Sequence, residues 1–182
     1  MSNFIKVFVL CLFAFGCKQN KQDVQKTNEV EDSVELKEEE LLDSFALKVE
    51  FAFETDEPGI FQIKFNGQDK EDTVLKNKTV KEVNMPMTFS ETFDLQKKGI
   101  PKSIYLILGV KKLRKVKVDS IKLITDEVSI SVTKENLLDY FVLNQYLSFD
   151  KDSGILETHK YNEKHVPLLT LNKRAYELLM LY

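Results

Sequence analysis

The chain has 182 residues, with 26 Lys plus Arg against 29 Asp plus Glu and a formal net charge of −3. That near balance argues against nucleic-acid binding, which favours a distinctly basic domain. Thirteen Phe and no Trp point to a core built on phenylalanine rings, and the length suffices for one domain with a real core.

The N-terminus reads as a removable secretion signal over residues 1–16. Lys6 precedes an apolar run from Val7 to Gly16, about half of the roughly 20 residues a bilayer span needs, so it is an h-region and not a transmembrane helix. The junction Ala14-Phe15-Gly16-Cys17 resembles the lipobox of bacterial lipoproteins, with Phe15 departing from its strictest form. The resemblance implies diacylglycerol on the Cys17 sulfur, usually with acylation of its new amino group, so that the membrane is a partner through this lipid. Two or three acyl chains give stable anchoring. Cys11 leaves with the signal, so no thiol remains for a disulfide, a zinc site or a nucleophile. Lys18 stands where an Asp retains lipoproteins in the inner membrane of several diderm bacteria. By the same resemblance the protein is expected at the outer membrane, on its periplasmic face.

Residues 17–43 read as the lipidated Cys and an acidic tether. Between Lys18 and Asp43 there is no aromatic residue, Gly or Pro, and nine acids outnumber four lysines. Such a segment has too little to bury to fold alone, although Asp32 with Glu35 in capping-box position allows a short helix.

Residues 44–182 are expected to form an all-β, two-sheet sandwich. Phe45, Leu47, Val49, Phe51 and Phe53 alternate with Ala46, Lys48, Glu50, Ala52 and Glu54, a period of two that places one face on a core. Thr55-Asp56-Glu57-Pro58-Gly59 is a turn signal, and Phe61, Ile63 and Phe65 form the next strand. Residues 66–78 are polar and loop-like. Met87, Phe89 and Phe93 restore the alternation, and Ile104 to Val110 is apolar on both faces, as in a central covered strand. Val116 and Val118 lie in opposite phase to Ile121 and Leu123, so the slip at Asp119-Ser120 predicts a bulge or bend. Val128, Ile130 and Val132 form another strand. Thr133 to Val142 fits either a helix capped by Thr133 or a strand, and Ile155–Leu156, Leu168–Leu171 and Ala175–Leu181 are apolar stretches expected to complete the sheets.

Over about residues 46–132 the strand order, Phe61–Phe65, then Met87–Leu95, then Pro101–Leu108, then Val116–Leu123, resembles the galactose-binding-like jelly roll. Leu106-Ile107-Leu108-Gly109 stands where such modules often carry a charged Arg-Leu-Asp-Pro-like strand. The resemblance therefore implies the fold more than its ligand, and fold alone never implies function.

No catalytic centre is visible. His159 and His165 are six apart, a spacing of neither a helical pair nor a short metal pair, and Asp150-Lys151-Asp152-Ser153-Gly154 lacks the Gly and Glu positions of an EF-hand loop. It reads as a polar turn. No cofactor or metal is expected. Lys111, Lys112, Arg114, Lys115 and Lys117 place five cations in seven residues. They form either a solvated hairpin or a contact for an anionic glycan, lipid phosphate or acidic partner. Tyr161 is the exposed ring expected for sugar stacking. The sequence thus predicts a non-catalytic, membrane-anchored binding or accessory module of the cell envelope. Carbohydrate binding in a glycan-handling system and a structural or assembly role through envelope-protein contacts are the alternatives.

Overall fold

The computed structural model describes residues 45–67 and 69–180; the expected signal peptide, Cys17 and the 18–43 tether lie outside them. Strand β1 (Ala46–Thr55) follows its alternation, burying Leu47, Val49, Phe51, Phe53 and Thr55. Phe45 departs from the expected face. It precedes the strand, is 37% exposed, and its carbonyl accepts the Leu95 and Gln96 amides at 2.9 and 3.2 Å. Strand β2 (Gly59–Asn66) turns Phe61, Ile63 and Phe65 inward. These two strands do not pair with each other, because β1 lies in a six-stranded sheet and β2 in a five-stranded one. The Thr55–Gly59 turn is therefore a corner between sheets.

The loop expected over residues 66–78 is instead a short 3-10 turn (Lys70–Asp72) and strand β3 (Val74–Val80). Its side chains from Leu75 to Thr79 are all exposed, so the alternation that marks a half-buried strand is missing. Main-chain pairing with β2 from Val74 to Val80 holds it. Strand β4 (Met87–Asp94) buries Phe89 and Phe93, and helix α1 (Leu95–Lys98) begins where the Asp94 carboxylate accepts the Lys97 amide at 2.8 Å.

Strand β5 (Ser103–Ile107) sits in the middle of its sheet. Strand β6 (Lys115–Ile124) carries the expected bulge. Ala52 pairs with Ser120 and Phe53 with Val118, which leaves Asp119 as the extra residue that lets both apolar phases face inward. Strand β7 (Ser129–Val132) is followed by helix α2 (Leu137–Tyr140) and strand β8 (Phe141–Leu143), so the ambiguous 133–142 segment is both helix and strand. Thr133 does not cap that helix; its amide donates to Asn136 Oδ1 at 2.7 Å.

Strands β9 (Leu147–Asp150), β10 (Ile155–Thr158) and β11 (Leu168–Leu171) complete the sheets. Ala175–Leu181, expected as another sheet stretch, lies largely in helix α3 (Lys173–Met180). Asn172 Oδ1 accepts the Ala175 amide at 2.9 Å, and the four-residue spacing of buried Ala175 and Leu179 is a helical face.

One sheet has the order β4-β1-β6-β10-β9, with β7 also on β6; the other is β3-β2-β5-β11-β8. Every pairing is antiparallel. Strand β6 shares its second edge between β10, along Lys115–Lys117, and β7, along Ile121–Ile124. The two sheets pack as a sandwich whose facing layers meet through aromatic pairs, Phe53 with Phe61 at 4.4 Å and Phe65 with Phe93 at 4.6 Å between ring centroids. Among the described residues no helix is long and apolar enough to cross a membrane.

Candidate functional site

At one end of the sandwich the corner between β1 and β2 lies against the 108–114 loop that joins β5 to β6. Both segments are pinned. Thr55 Oγ1 donates to the Glu57 carbonyl at 3.2 Å, and the Asp56 carboxylate accepts the Lys115 amide at 2.7 Å. On the loop, the Leu108 amide donates to the Pro167 carbonyl at 3.0 Å and His165 Nδ1 lies 3.1 Å from the Val110 carbonyl. The Arg114 amide donates to Thr158 Oγ1 at 2.8 Å, and the Thr158 amide returns a bond to the Arg114 carbonyl at 2.9 Å. Main-chain fixation at both ends is what holds a charged side chain in place here.

Arg114 is turned into the protein and is only 3% exposed. Its guanidinium carbon stands 5.2 Å from the centroid of the Phe61 ring, a cation–π distance. Gly59 and Gly109 make room for it. A Cβ on Gly59 would fall 2.5 Å from Nη2, and one on Gly109 would fall 2.9 Å from Cζ. Gly109 also has φ +86°, in the region that favours glycine. Nη1 donates to the Glu57 carbonyl at 3.3 Å, whereas buried Nε has no acceptor among the described residues. The Glu57 carboxylate goes to Lys112 Nζ, at 2.8 Å. Burial pushes the Arg114 pKa down from its ordinary value, opposed by the nearby Glu57 and Asp56 charges.

Arg114 borders an open cleft of about 310 Å³. Its walls are Pro58, Gly59 and Ile60 from the corner and the start of β2, Gln62 and Thr79 from β2 and β3, and Val110, Lys111 and Lys112 from the loop. Ile60 and Val110 are 45% and 48% exposed, so the cleft offers apolar wall beside a cationic end. No carboxylate, histidine or thiol is among the lining residues. What this arrangement does chemically is attract and orient an anion.

The five-cation run is thus divided. Lys111, Lys112 and Arg114 meet at the cleft. Lys115 and Lys117 turn to solvent on β6, with Lys115 4.0 Å from Glu157 and Lys117 3.5 Å from Glu54, bordering a separate shallow depression. The run is not a hairpin, since β5 and β6 belong to different sheets. Tyr161 is 49% exposed but does not line the cleft. It sits at the base of a tight turn closed by bonds with Lys164 at 3.0 and 3.1 Å, through Asn162 and Glu163 at φ 49° and 60°.

The Asp150–Gly154 segment is a polar turn, in which the Asp150 carboxylate accepts the Asp152 amide at 3.0 Å and the Ser153 hydroxyl at 2.6 Å. Among the described residues no three His, Cys, Asp or Glu side chains gather as a metal site.

Reasoning from sequence missed Ile60 and Val110, and the two glycines that admit the guanidinium. It named Arg114 only as one cation of five, although a signal was present: Arg114 shares the inward parity of Val116 and Val118.

No protein-family model matches this chain, and comparison with curated protein sequences and with solved structures gave no match.

Proposed function

We propose that this protein is a membrane-anchored, non-catalytic lipoprotein of the cell envelope whose β-sandwich serves as a binding or accessory module. The observation that carries the anchoring is the lipobox-like Ala14-Phe15-Gly16-Cys17 behind a short apolar run. The binding role is supported by the cleft at Arg114, where a buried cation adjoins exposed apolar wall. The cleft lining contains no aromatic ring, so a neutral sugar has nothing there to stack on, and a carbohydrate role rests on Tyr161 alone.

The test is Cys17→Ser in a diderm bacterial host. The variant should leave the membrane fraction or accumulate uncleaved; wild-type maturation and fractionation would overturn the anchoring. Protease added to intact cells should spare the domain if it faces the periplasm from the outer membrane, and digestion without lysis would place it on the cell surface.

A further inference from the structure

Arg114 is the only charged residue among the buried side chains of the described core; the other buried polar residues there are the threonines Thr55, Thr125 and Thr158. A buried charge without a partner is costly, and native proteins compensate it with an acid or a ligand. No described carboxylate forms an ion pair with Arg114. Among the described residues its Nη1 donates to the Glu57 carbonyl at 3.3 Å, while buried Nε has no partner. The acid best placed to neutralise it, Glu57, is engaged by Lys112 at 2.8 Å. The guanidinium is nonetheless held firmly, lying over Phe61 and flanked by Gly59 and Gly109. A fixed, planar guanidinium with a buried, unpartnered donor, lining a cleft that has exposed apolar wall, is an arrangement suited to an oxyanion.

We propose that this cleft binds a singly charged oxyanion, a carboxylate or phosphodiester, carried on an apolar body, with Arg114 on the charge and Ile60 and Val110 against the body. The inference rests on the binding role proposed above and names its ligand class. One negative charge matches the single buried guanidinium, since Lys112 is paired with Glu57 and Lys111, which also lines the cleft, is exposed to solvent. About 310 Å³ is at the small end of ligand pockets, which limits the body to a ring or a short chain. Salt should weaken the interaction only modestly, since the principal cation is buried.

The test uses the full chain in micelles of a non-ionic maltoside detergent, which carries no oxyanion, followed by NMR during titration with cyclohexanecarboxylate, cyclohexanecarboxamide, a short-chain phosphatidylglycerol and inorganic phosphate. Saturable binding by the carboxylate or the lipid is expected, with shifts at Ile60, Val110 and the Arg114 side chain. The neutral amide and inorganic phosphate should each bind at least tenfold more weakly. Preference for the carboxylate identifies a free acid as the source and preference for phosphatidylglycerol a lipid headgroup; either supports the proposal. Arg114→Gln should abolish binding. Because that residue is buried, Val110→Asp provides a second variant at an exposed position; it should keep the β circular-dichroism signal and lose at least tenfold in affinity. Equal affinity for acid and amide, affinity unchanged by Val110→Asp, or no saturable binding by any probe overturns the proposal. Anchoring is read separately from Cys17→Ser. A protein that fractionates with membranes and binds no probe overturns only the ligand class, and one that binds without being anchored overturns only the membrane reading.

Discussion

The Arg114 guanidinium lies over the Phe61 ring, 5.2 Å from its centroid, at the point where the chain passes from one sheet to the other. The glycines on either side make this contact possible, and they can be tested against a third. Gly109→Ala places a Cβ 2.9 Å from Cζ at φ +86°, whereas Gly99→Ala has φ +70° and nothing within 4 Å. Gly99→Ala should cost about 1–3 kcal/mol, from backbone strain alone. Gly109→Ala should cost at least ~1 kcal/mol more, because the guanidinium must also shift. Urea unfolding of both variants gives the difference; equal losses would mean that Arg114 yields freely.

Phe53 and Phe45 look alike in the alternating sequence but differ in the structure. Phe53 is fully buried and touches Phe61 across the sandwich, while Phe45 is 37% exposed. Phe53→Ala should destabilise by about 3–5 kcal/mol and Phe45→Ala by less than ~1 kcal/mol. Denaturant midpoints decide the matter, and comparable losses would contradict the burial of only one ring.

Glu91 lies on the inward-facing parity of β4, an edge strand, and pairs at 3.8 Å with Lys76 of β3, the edge strand of the other sheet. The pair is partly exposed, so a double-mutant cycle should give less than ~1 kcal/mol. Its larger effect is to guard an edge, since inward-pointing charge discourages edge-to-edge pairing. Glu91→Ile should leave the melting temperature close to wild type and raise light scattering on prolonged incubation. A soluble, non-aggregating variant would show that the charge has no such role.

Among the described residues four carboxyls are held below their ordinary pKa values by hydrogen bonds: Glu57 by Lys112, Glu50 by Lys48, Glu135 by Thr133 and Asp150 by Ser153. A depressed folded-state pKa means that the unfolded chain takes up protons first as pH falls. Stability from these groups is therefore complete above the unfolded Glu value of 4.5 and is lost as pH drops through the lower folded value. Melting temperature should decline on acidification below about pH 5. In Lys112→Ala the Glu57 carboxyl, followed by carbon NMR, should titrate closer to 4.5. An unchanged Glu57 midpoint would show that Lys112 is not its partner.

Side-chain periodicity alone determined that the folded part is a β-sandwich and which face of β1, β2, β4 and β6 is buried, because alternation is a local property of a pleated strand. It also placed a bulge or bend at Asp119-Ser120, where the apolar phase slips by one residue, and the strand register makes it a bulge. Strand β3 and helix α3 escaped that reading for opposite reasons. Leu75–Thr79 is exposed and held by its main chain, which leaves no hydrophobic pattern, and the Ala175–Leu179 run is apolar enough to suggest a strand until Asn172 caps it as a helix. Only the tertiary structure decided that the Thr55–Gly59 turn crosses between sheets rather than closing a hairpin. That crossing brings Pro58, Gly59 and Ile60 against the 109–114 loop, about fifty residues further along the chain, and separates Arg114 from the lysines around it. Sequence spacing records charge but not which partner strand lies beneath it, so the one buried cation of the five was visible only once both sheets were in place.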